Sequence, residues 1–358
     1  MLGVGMRVLI VKISALGDVI QAFSVLDWLH KNIPGIQTDW AIDRSLQSIV
    51  AAHPLISRTI PLDLKQLKKL RGNWKQAWAD LKQLRTTQYD VLFDLQGNIK
   101  SGVVTALARA HVKVGLGPRS VREWPNLLAT QRRFEIDPET NIRLQYRGIV
   151  QRYFQVAQES SIDTDAEGVW FKLSAEEQNQ IDAILYRPGM NRPHRIMVCP
   201  GSKWINKQLP FEALEGLLTA LVQVHNSALF IVWGADEERE FAHRMHRCFP
   251  ERSQVVERLS LPAWQNLMNR MDLVLAVDSS ALHLCATTQT PSFSFFGPTS
   301  LEVFKPLGDQ HLAFQGKCPY GRVFTKTCPA LRTCPTGACL KSVTAEQLIT
   351  ACRIDSKK

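Results

Sequence analysis

The sequence predicts an α/β protein made of two Rossmann-like, doubly wound domains, and three observations carry that expectation. Its 358 residues exceed one ordinary α/β core and suit two. Apolar, β-branched runs alternate with helix-period stretches along the chain, the pattern of right-handed βαβ units. The alternation breaks around Glu159–Gly168, where Ser, Asp, Thr and Glu dominate, and then restarts. Domains are therefore expected at 1–165 and 166–340, the latter ending in a Cys-rich segment (318–339), with a C-terminal helix over 341–358.

Each element follows from its residues. "RVLIVK" (7–12) is an unbroken apolar run, as a parallel strand buried on both faces should be. "SALGD" turns the chain, and Val19 to His30 has helical periodicity. "TDWAID" around Trp40 and "YDVLFDLQG" (89–97) read as further strands, and Leu64 to Arg85 as a long helix rich in lysine. Beyond the break come "RIMVCPG" (195–201), a helix from Pro210, "ALFIVWG" (228–234), a helix from Asp236, "DLVLAVD" (272–278), a helix through His283, and "SFSFFGPT" (292–299). From Thr344 the chain reads as a capped helix. Gln347 three residues on completes a capping box, with Ser342 the alternative N-cap.

The formal charge is +10, and its excess is local: residues 1–150 hold 21 Lys/Arg against 12 Asp/Glu, residues 151–358 hold 22 against 21. Such a field concentrates an anionic partner. The basic residues form no single run and no nucleic-acid motif, so a large acidic substrate at a membrane surface is expected rather than nucleic acid. No stretch reaches the ~18–20 apolar residues of a membrane span. The N-terminal apolar run is cut by Lys12, which argues for a first strand rather than a signal peptide. A cytoplasmic protein with mostly reduced cysteines is the expectation.

In open α/β sheets ligands bind beyond the carboxyl ends of the strands, and two such domains facing each other leave a cleft there. Four candidate segments stand at those ends. In Ser14–Asp18, Asp18 is either an N-cap or a general base able to take a proton from a sugar hydroxyl. In Pro200–Lys207, Ser202 and Lys207 suit a diphosphate, against a loop of merely exposed lysines. In Asp278–His283, Ser279 and Ser280 open a helix whose N–H groups favour an anion, and His283 follows one turn later. In Trp233–Glu238, an acid such as Glu238 suits ribose hydroxyls, or simply complements the helix dipole. Neither a Walker loop nor a dinucleotide fingerprint is present.

Lys12–Asp18, Asp94–Ser101, the Lys207 loop, Trp233–Glu238, Asp278–His283 and Gly297–Thr299, in this order, resemble the ADP-heptose:lipopolysaccharide heptosyltransferases, glycosyltransferases of the GT-B type. The likeness covers about residues 6–310 and is nearest to the heptosyltransferase I branch. The resemblance implies inverting, metal-independent transfer of heptose from ADP-heptose to Kdo–lipid A, with no cofactor. It implies peripheral contact with the inner face of the inner membrane as an extension of a cytoplasmic location. It implies Asp18 as base and His283 assisting at the phosphates. Ser202, Lys207, Glu238, Asp278, Ser279 and Ser280 would bind the donor. The acceptor side would use Gln96 and Lys100, with Lys65, Lys68, Lys69, Arg71, Arg119 and Arg122 meeting its phosphates and carboxylates.

Two departures keep other readings open. Asp-Ser-Ser stands where the family has Asp-Thr-Gly, so a side chain at Ser280 occupies ground where glycine admits a ligand. Cys318, Cys328, Cys334 and Cys339 form a segment that heptosyltransferase I lacks. Four cysteines suit tetrahedral zinc, but paired C-x2–4-C knuckles are absent, and free or redox-paired thiols in an ordered loop are the alternative. Either way the expected role is structural. A later-acting core heptosyltransferase, another nucleotide-sugar transferase, and a non-catalytic nucleotide- or lipopolysaccharide-binding protein remain as alternatives.

Overall fold

In the computed structural model the described residues are 5–64, 74–156 and 168–353. The chain divides into two compact units, Met1–Ser161 and Ile162–Lys358. Each is built on a six-stranded, wholly parallel sheet.

Unit 1 carries β1 (Arg7–Val11), β2 (Gln37–Asp43), β3 (Arg58–Leu62), β4 (Gln88–Asp94), β5 (Arg109–Leu116) and β6 (Arg132–Phe134), ordered β3-β2-β1-β4-β5-β6. Its helices are α1 (Leu16–Ala22), α2 (Ser24–Asn32), α3 (Gln47–Ala52), α4 (Trp74–Gln83), α5 (Ile99–Leu107) and α6 (Ile142–Tyr153). β1 is central, with Val8 to Val11 fully buried, which is why its sequence shows no alternation. The helical stretch after β1 is two helices, α1 and α2, meeting at Phe23. Of the lysine-rich helix expected from Leu64 to Arg85, α4 is seen, and residues 65–73 lie outside the described residues.

Unit 2 repeats the arrangement. Strands β7 (His194–Cys199), β8 (Ser227–Val232), β9 (Ser253–Val256), β10 (Leu273–Val277), β11 (Ser292–Phe296) and β12 (His311–Gln315) lie in the order β12-β11-β10-β7-β8-β9. The helices are α7 (Ala175–Leu185), α8 (Phe211–His225), α9 (Asp236–Cys248), α10 (Leu261–Met268), α11 (Ser280–Cys285), α12 (Leu301–Phe304), α13 (Ala338–Lys341) and α14 (Ala345–Ala351). The Thr344–Gln347 capping box opens α14, and Leu348 of that helix is buried in the core of unit 2 with Leu217 and Leu218 of α8.

Both sheets have the strand order of a dinucleotide-binding domain, 3-2-1-4-5-6 counted from the first strand of each unit. The order reverses between β1 and β4 in unit 1 and between β7 and β10 in unit 2. A crevice opens at such a switch point because the following helices leave for opposite faces. Four loops therefore matter most, those after β1, β4, β7 and β10.

Candidate active site

In unit 1, β1 runs into a buried Lys12, and the next two backbone N–H groups, of Ile13 and Ser14, donate to Gln96 Oε1 at 3.1 and 3.2 Å. Gln96 is itself buried in the loop after β4, so its amide holds the two switch-point loops together. Lys12 Nζ donates to the Leu95 carbonyl at 3.1 Å, lies 4.8 Å from the Tyr146 ring centre and reaches Asp18 Oδ2 at 3.9 Å.

Asp18 sits in the first turn of α1. The N-cap of that helix is Ala15, without a side-chain cap, so Asp18 is not the capping residue. Its carboxylate instead faces two cations, Lys12 and the Arg122 guanidinium at 3.3 Å. Burial, and next the Asp18 charge, raise the Tyr146 hydroxyl far above the usual range, keeping it a neutral phenol beside the carboxylate.

The loop after β4 is held by Asp94, which is fully buried. Its Oδ1 accepts the N–H groups of Gln96 and Gly97, and its Oδ2 accepts from Thr105 Oγ1 and from Asn126 Nδ2 at 2.6 Å. Gly97 has φ +69°, where a side chain is strained, and a Cβ there would lie 2.6 Å from Leu116 Cδ1, so glycine suits the turn best. The Gly97 carbonyl then accepts the N–H groups of Arg122 and Glu123 and brings Arg122 to Asp18. Lys100 is exposed in the first turn of α5, and Arg119 is exposed beyond β5. Structure thus gathers Asp18, Gln96 and Arg122. Lys65, Lys68, Lys69 and Arg71 lie outside the described residues.

In unit 2, Lys207 of the loop after β7 donates to Asp278 Oδ2 at 2.6 Å. Asp278 directly follows β10 and is only 4% exposed. Thr299 Oγ1 donates to the same oxygen at 2.6 Å, and His283 Nε2 stands 3.7 Å from Oδ1. Burial alone would push the Asp278 carboxyl up. The Lys207 ammonium, His283 and the two hydrogen bonds outweigh it, and the group lies below its usual range. Ser279 is the N-cap of α11 and makes no side-chain capping bond, and its buried Oγ has no hydrogen-bond partner among the described residues. Ser280 begins that helix.

Beside this cluster lies a cavity of about 560 Å³, within the range of small-molecule sites. Pro200, Gly201 and Ser202 line one side, Glu237, Glu238 and Phe241 the other. Glu238 Oε2 accepts the N–H groups of Gly234 and Ala235 at 2.8 and 3.2 Å. A Cβ at Gly201 would fall 2.2 Å from the Glu238 carboxyl, so glycine lets that acid reach across to the β7 loop. Cys199 also lines the cavity, but burial pushes its thiol well up and makes it a poor nucleophile.

The Cys-rich segment packs against the same loops. Asn206, the neighbour of Lys207, donates to the carbonyls of Leu331 and Cys334 at 2.9 and 3.0 Å. Cys328 N–H donates to Pro298 O, and Thr299 bridges to Thr327. The two residues that hold Asp278 are therefore braced by this segment. Cys318, Cys328, Cys334 and Cys339 line one small hollow and are free thiols. Among the described residues no three His, Cys, Asp or Glu side chains are grouped as ligands of one metal ion.

The sequence marks these loops but not all their contents. The roles of Lys12, Tyr146, Asp94 and Asn126 are not legible there, because each depends at least in part on partners far away in sequence: Leu95 and Tyr146 for Lys12, Asn126 for Asp94. Only the charged Lys12 at the end of an apolar strand carried a signal of its own.

The glycosyltransferase family 9 (heptosyltransferase) model matches residues 78–333. Lipopolysaccharide heptosyltransferase 1 of Pseudomonas aeruginosa is 28% identical over 329 residues, covering 90% of this chain and 87% of that protein. The enzyme of the same name from Salmonella typhimurium is 27% identical, covering 86% and 93%. In fold, the chain is similar to the Escherichia coli heptosyltransferase WaaC solved with ADP-2-deoxy-2-fluoro heptose. The TM-score is 0.71 at 24% identity, over 87% of this chain and 94% of that one.

Proposed function

From the premise that this chain belongs to glycosyltransferase family 9, the heptosyltransferases, we propose that it transfers heptose from ADP-heptose to the Kdo–lipid A inner core of lipopolysaccharide. The curated relatives carry out lipopolysaccharide heptosyl transfer by name, and the WaaC structure holds a fluorinated ADP-heptose. The observation that carries the reading is in unit 2: a cavity large enough for a nucleotide adjoins the Lys207–Asp278–Thr299–His283 cluster at a topological switch point.

In this reading the nucleoside lies in the cavity, with Glu238 at the ribose and Ser202 beside the diphosphate. Lys207, the N–H groups of Ser279 and Ser280, and His283 supply positive charge to the departing ADP, so the transfer is proposed to run without a metal ion. Asp278 fixes the Lys207 ammonium and lies on the sugar side. An acceptor hydroxyl attacks the anomeric carbon as the carbon–oxygen bond to the β-phosphate breaks. The electron pair leaves with ADP, the configuration inverts, and Asp18 takes the hydroxyl proton. Lys12 and Arg122 hold the Asp18 carboxylate in place, so its contribution is chiefly positional. Gln96 holds the Asp18 loop, and Lys100, Arg119 and Arg122 meet acceptor phosphates and carboxylates, together with Lys68, Lys69 and Arg71. The enzyme would act from the cytoplasm on a membrane-borne acceptor. No helix among the described residues is long and apolar enough to cross a membrane.

ADP release from ADP-heptose with Kdo–lipid A tests this. Wild type is expected to turn over and Asp18→Ala to fall at least 100-fold, the lower range for a general base. Equal turnover by the two proteins would remove Asp18 from its role. The Cys-rich brace and Ser280 favour a second reading, a later-acting core enzyme or one using another nucleotide sugar. Stabilisation in a thermal-shift panel by a UDP- or GDP-sugar alone would decide for another nucleotide sugar, and ADP release from ADP-heptose only with an already heptosylated core acceptor would decide for the later-acting enzyme.

A further inference from the structure

We infer that unit 1 carries a membrane-docking face, formed by α5 and the short 3-10 segment Trp124–Ala129, that seats on an anionic bilayer surface. Ile99 and Val103 stand one turn apart on α5, and are 50% and 44% exposed. Trp124 and Leu128 stand four residues apart on the 3-10 segment, and are 69% and 83% exposed. The two elements lie side by side. Ile99 N–H donates to Glu123 Oε2 at 2.6 Å, a Cβ on Gly102 would come 3.2 Å from Asn126 Cα, and Asn126 Nδ2 donates to Asn98 O and Ser101 Oγ. Asn126 and Gly102 are the inward contacts, so the apolar side chains project outward from adjoining elements. Single exposed apolar residues are ordinary, but a tryptophan and three aliphatic residues on neighbouring elements form a patch that a water-facing surface does not need.

Charge identifies the occupant. Lys100 follows Ile99, Arg122 precedes Trp124, and Arg132 and Arg133 follow in β6, all of them exposed. Arg133 is tied to the patch through the carbonyls of Leu127 and Thr130, at 2.6 and 2.8 Å. Glu123 is the acid within the patch, and its carboxylate is engaged by the Ile99 N–H. An apolar centre containing tryptophan with a cationic rim is the composition of a surface that lies in the headgroup layer of an anionic membrane. A second copy of the chain fits less well, because a two-fold contact would bring two cationic rims together. The face is continuous with the proposed acceptor residues, since Arg122 joins Asp18 and Gly97. That docking serves acceptor capture rests on the proposed function. The docking itself does not.

The test is co-sedimentation of the full chain with vesicles of phosphatidylcholine containing phosphatidylglycerol, against pure phosphatidylcholine. Wild type should partition onto the anionic vesicles, less so as salt rises. Trp124→Ser/Leu128→Ser and, independently, Ile99→Ser/Val103→Ser should each weaken partition about tenfold. Both variants should keep wild-type turnover on a water-soluble, deacylated acceptor. Equal partition of wild type and both variants would overturn the inference. So would a dimer in solution that these substitutions dissociate. A protein that docks but transfers no heptose upholds the face and refutes the function; transfer without docking does the reverse.

Discussion

The Lys12 ammonium lies 3.9 Å from the Asp18 carboxylate, while its stem is almost wholly buried at the end of the central strand β1. The pair is held from outside: Lys12 also donates to the Leu95 carbonyl, and Arg122 meets the same carboxylate oxygen of Asp18. A buried cation thus fixes where a partly exposed acid points. Of the two cations, Lys12 should matter more, because the Arg122 contact is exposed and such pairs contribute little.

Lys12→Met tests this with little change of volume. The protein should fold, with stability within about 2 kcal/mol of wild type, since an apolar side chain replaces a buried ion. Turnover should drop at least tenfold, because Asp18 is then oriented by the exposed Arg122 alone. Comparing kcat with the thermal midpoint separates the effects. A variant of normal midpoint and normal kcat would show that Asp18 needs no such anchor.

Lys207→Ala should be costly for a different reason. It leaves the Asp278 carboxylate buried with the Thr299 hydroxyl and the His283 ring but without its nearest ammonium. Removing one partner of a buried pair costs about 3 kcal/mol or more, chiefly as an uncompensated charge. Lys207→Met combined with Asp278→Asn should recover much of that loss, though not activity. Urea unfolding of the single and double variants reads the coupling directly.

How far the sequence reveals this arrangement depends on the range of the interaction. β1 is legible because both its faces are buried, and the α14 capping box because Thr344 and Gln347 are three residues apart. The loops at the switch points follow from strand ends in the same way. β3 is harder to see: Pro61 interrupts it, tolerable only because β3 lies at the sheet edge. In β5, Arg109, His111 and Lys113 alternate with smaller residues and hide a strand whose far end is buried. The N-cap reading of Asp18 had equal standing in the sequence, since local spacing cannot reveal Arg122, 104 residues away. Nor does it reveal that Thr299 and Lys207 converge on Asp278.

The acid side of the stability profile should report Asp278. Its folded pKa is below the ordinary value of 3.8, because Lys207, His283 and the hydrogen bonds outweigh burial. Above that value the group is ionised in both folded and unfolded chains, and its stabilisation is complete. As pH falls below it the unfolded chain takes up the proton first, and the stabilisation is lost as pH falls through the folded pKa. The stability difference between wild type and Asp278→Asn should therefore shrink as pH falls below about 3.8. Denaturant midpoints at a series of pH values check it; a difference that grows as pH falls below about 3.8 would contradict the sign.

Gly316→Ala should damage the site from a distance. A Cβ there would meet the Cys339 carbonyl oxygen at 1.8 Å, and a backbone atom cannot turn aside as a side chain can. The substitution must push β12 and α13 apart, at a cost of about 3 kcal/mol. Gly321 provides the control, because its Cβ would meet nothing within 4 Å and only its φ of +65° is strained. Gly321→Ala should cost about 1 kcal/mol. Gly337, the N-cap of α13, lies against Asn206, where a Cβ would already crowd the Asn206 side chain, so a displaced α13 is expected to disturb Asn206. Asn206 anchors the Cys-rich segment through the Leu331 and Cys334 carbonyls and is followed by Lys207. Gly316→Ala should thus weaken donor binding as well as stability, while Gly321→Ala should leave donor binding alone. Calorimetric titration of ADP into both variants, below their unfolding temperatures, distinguishes a brace on the Lys207 loop from an appendage: equal ADP affinity in the two would assign the segment no part in the site.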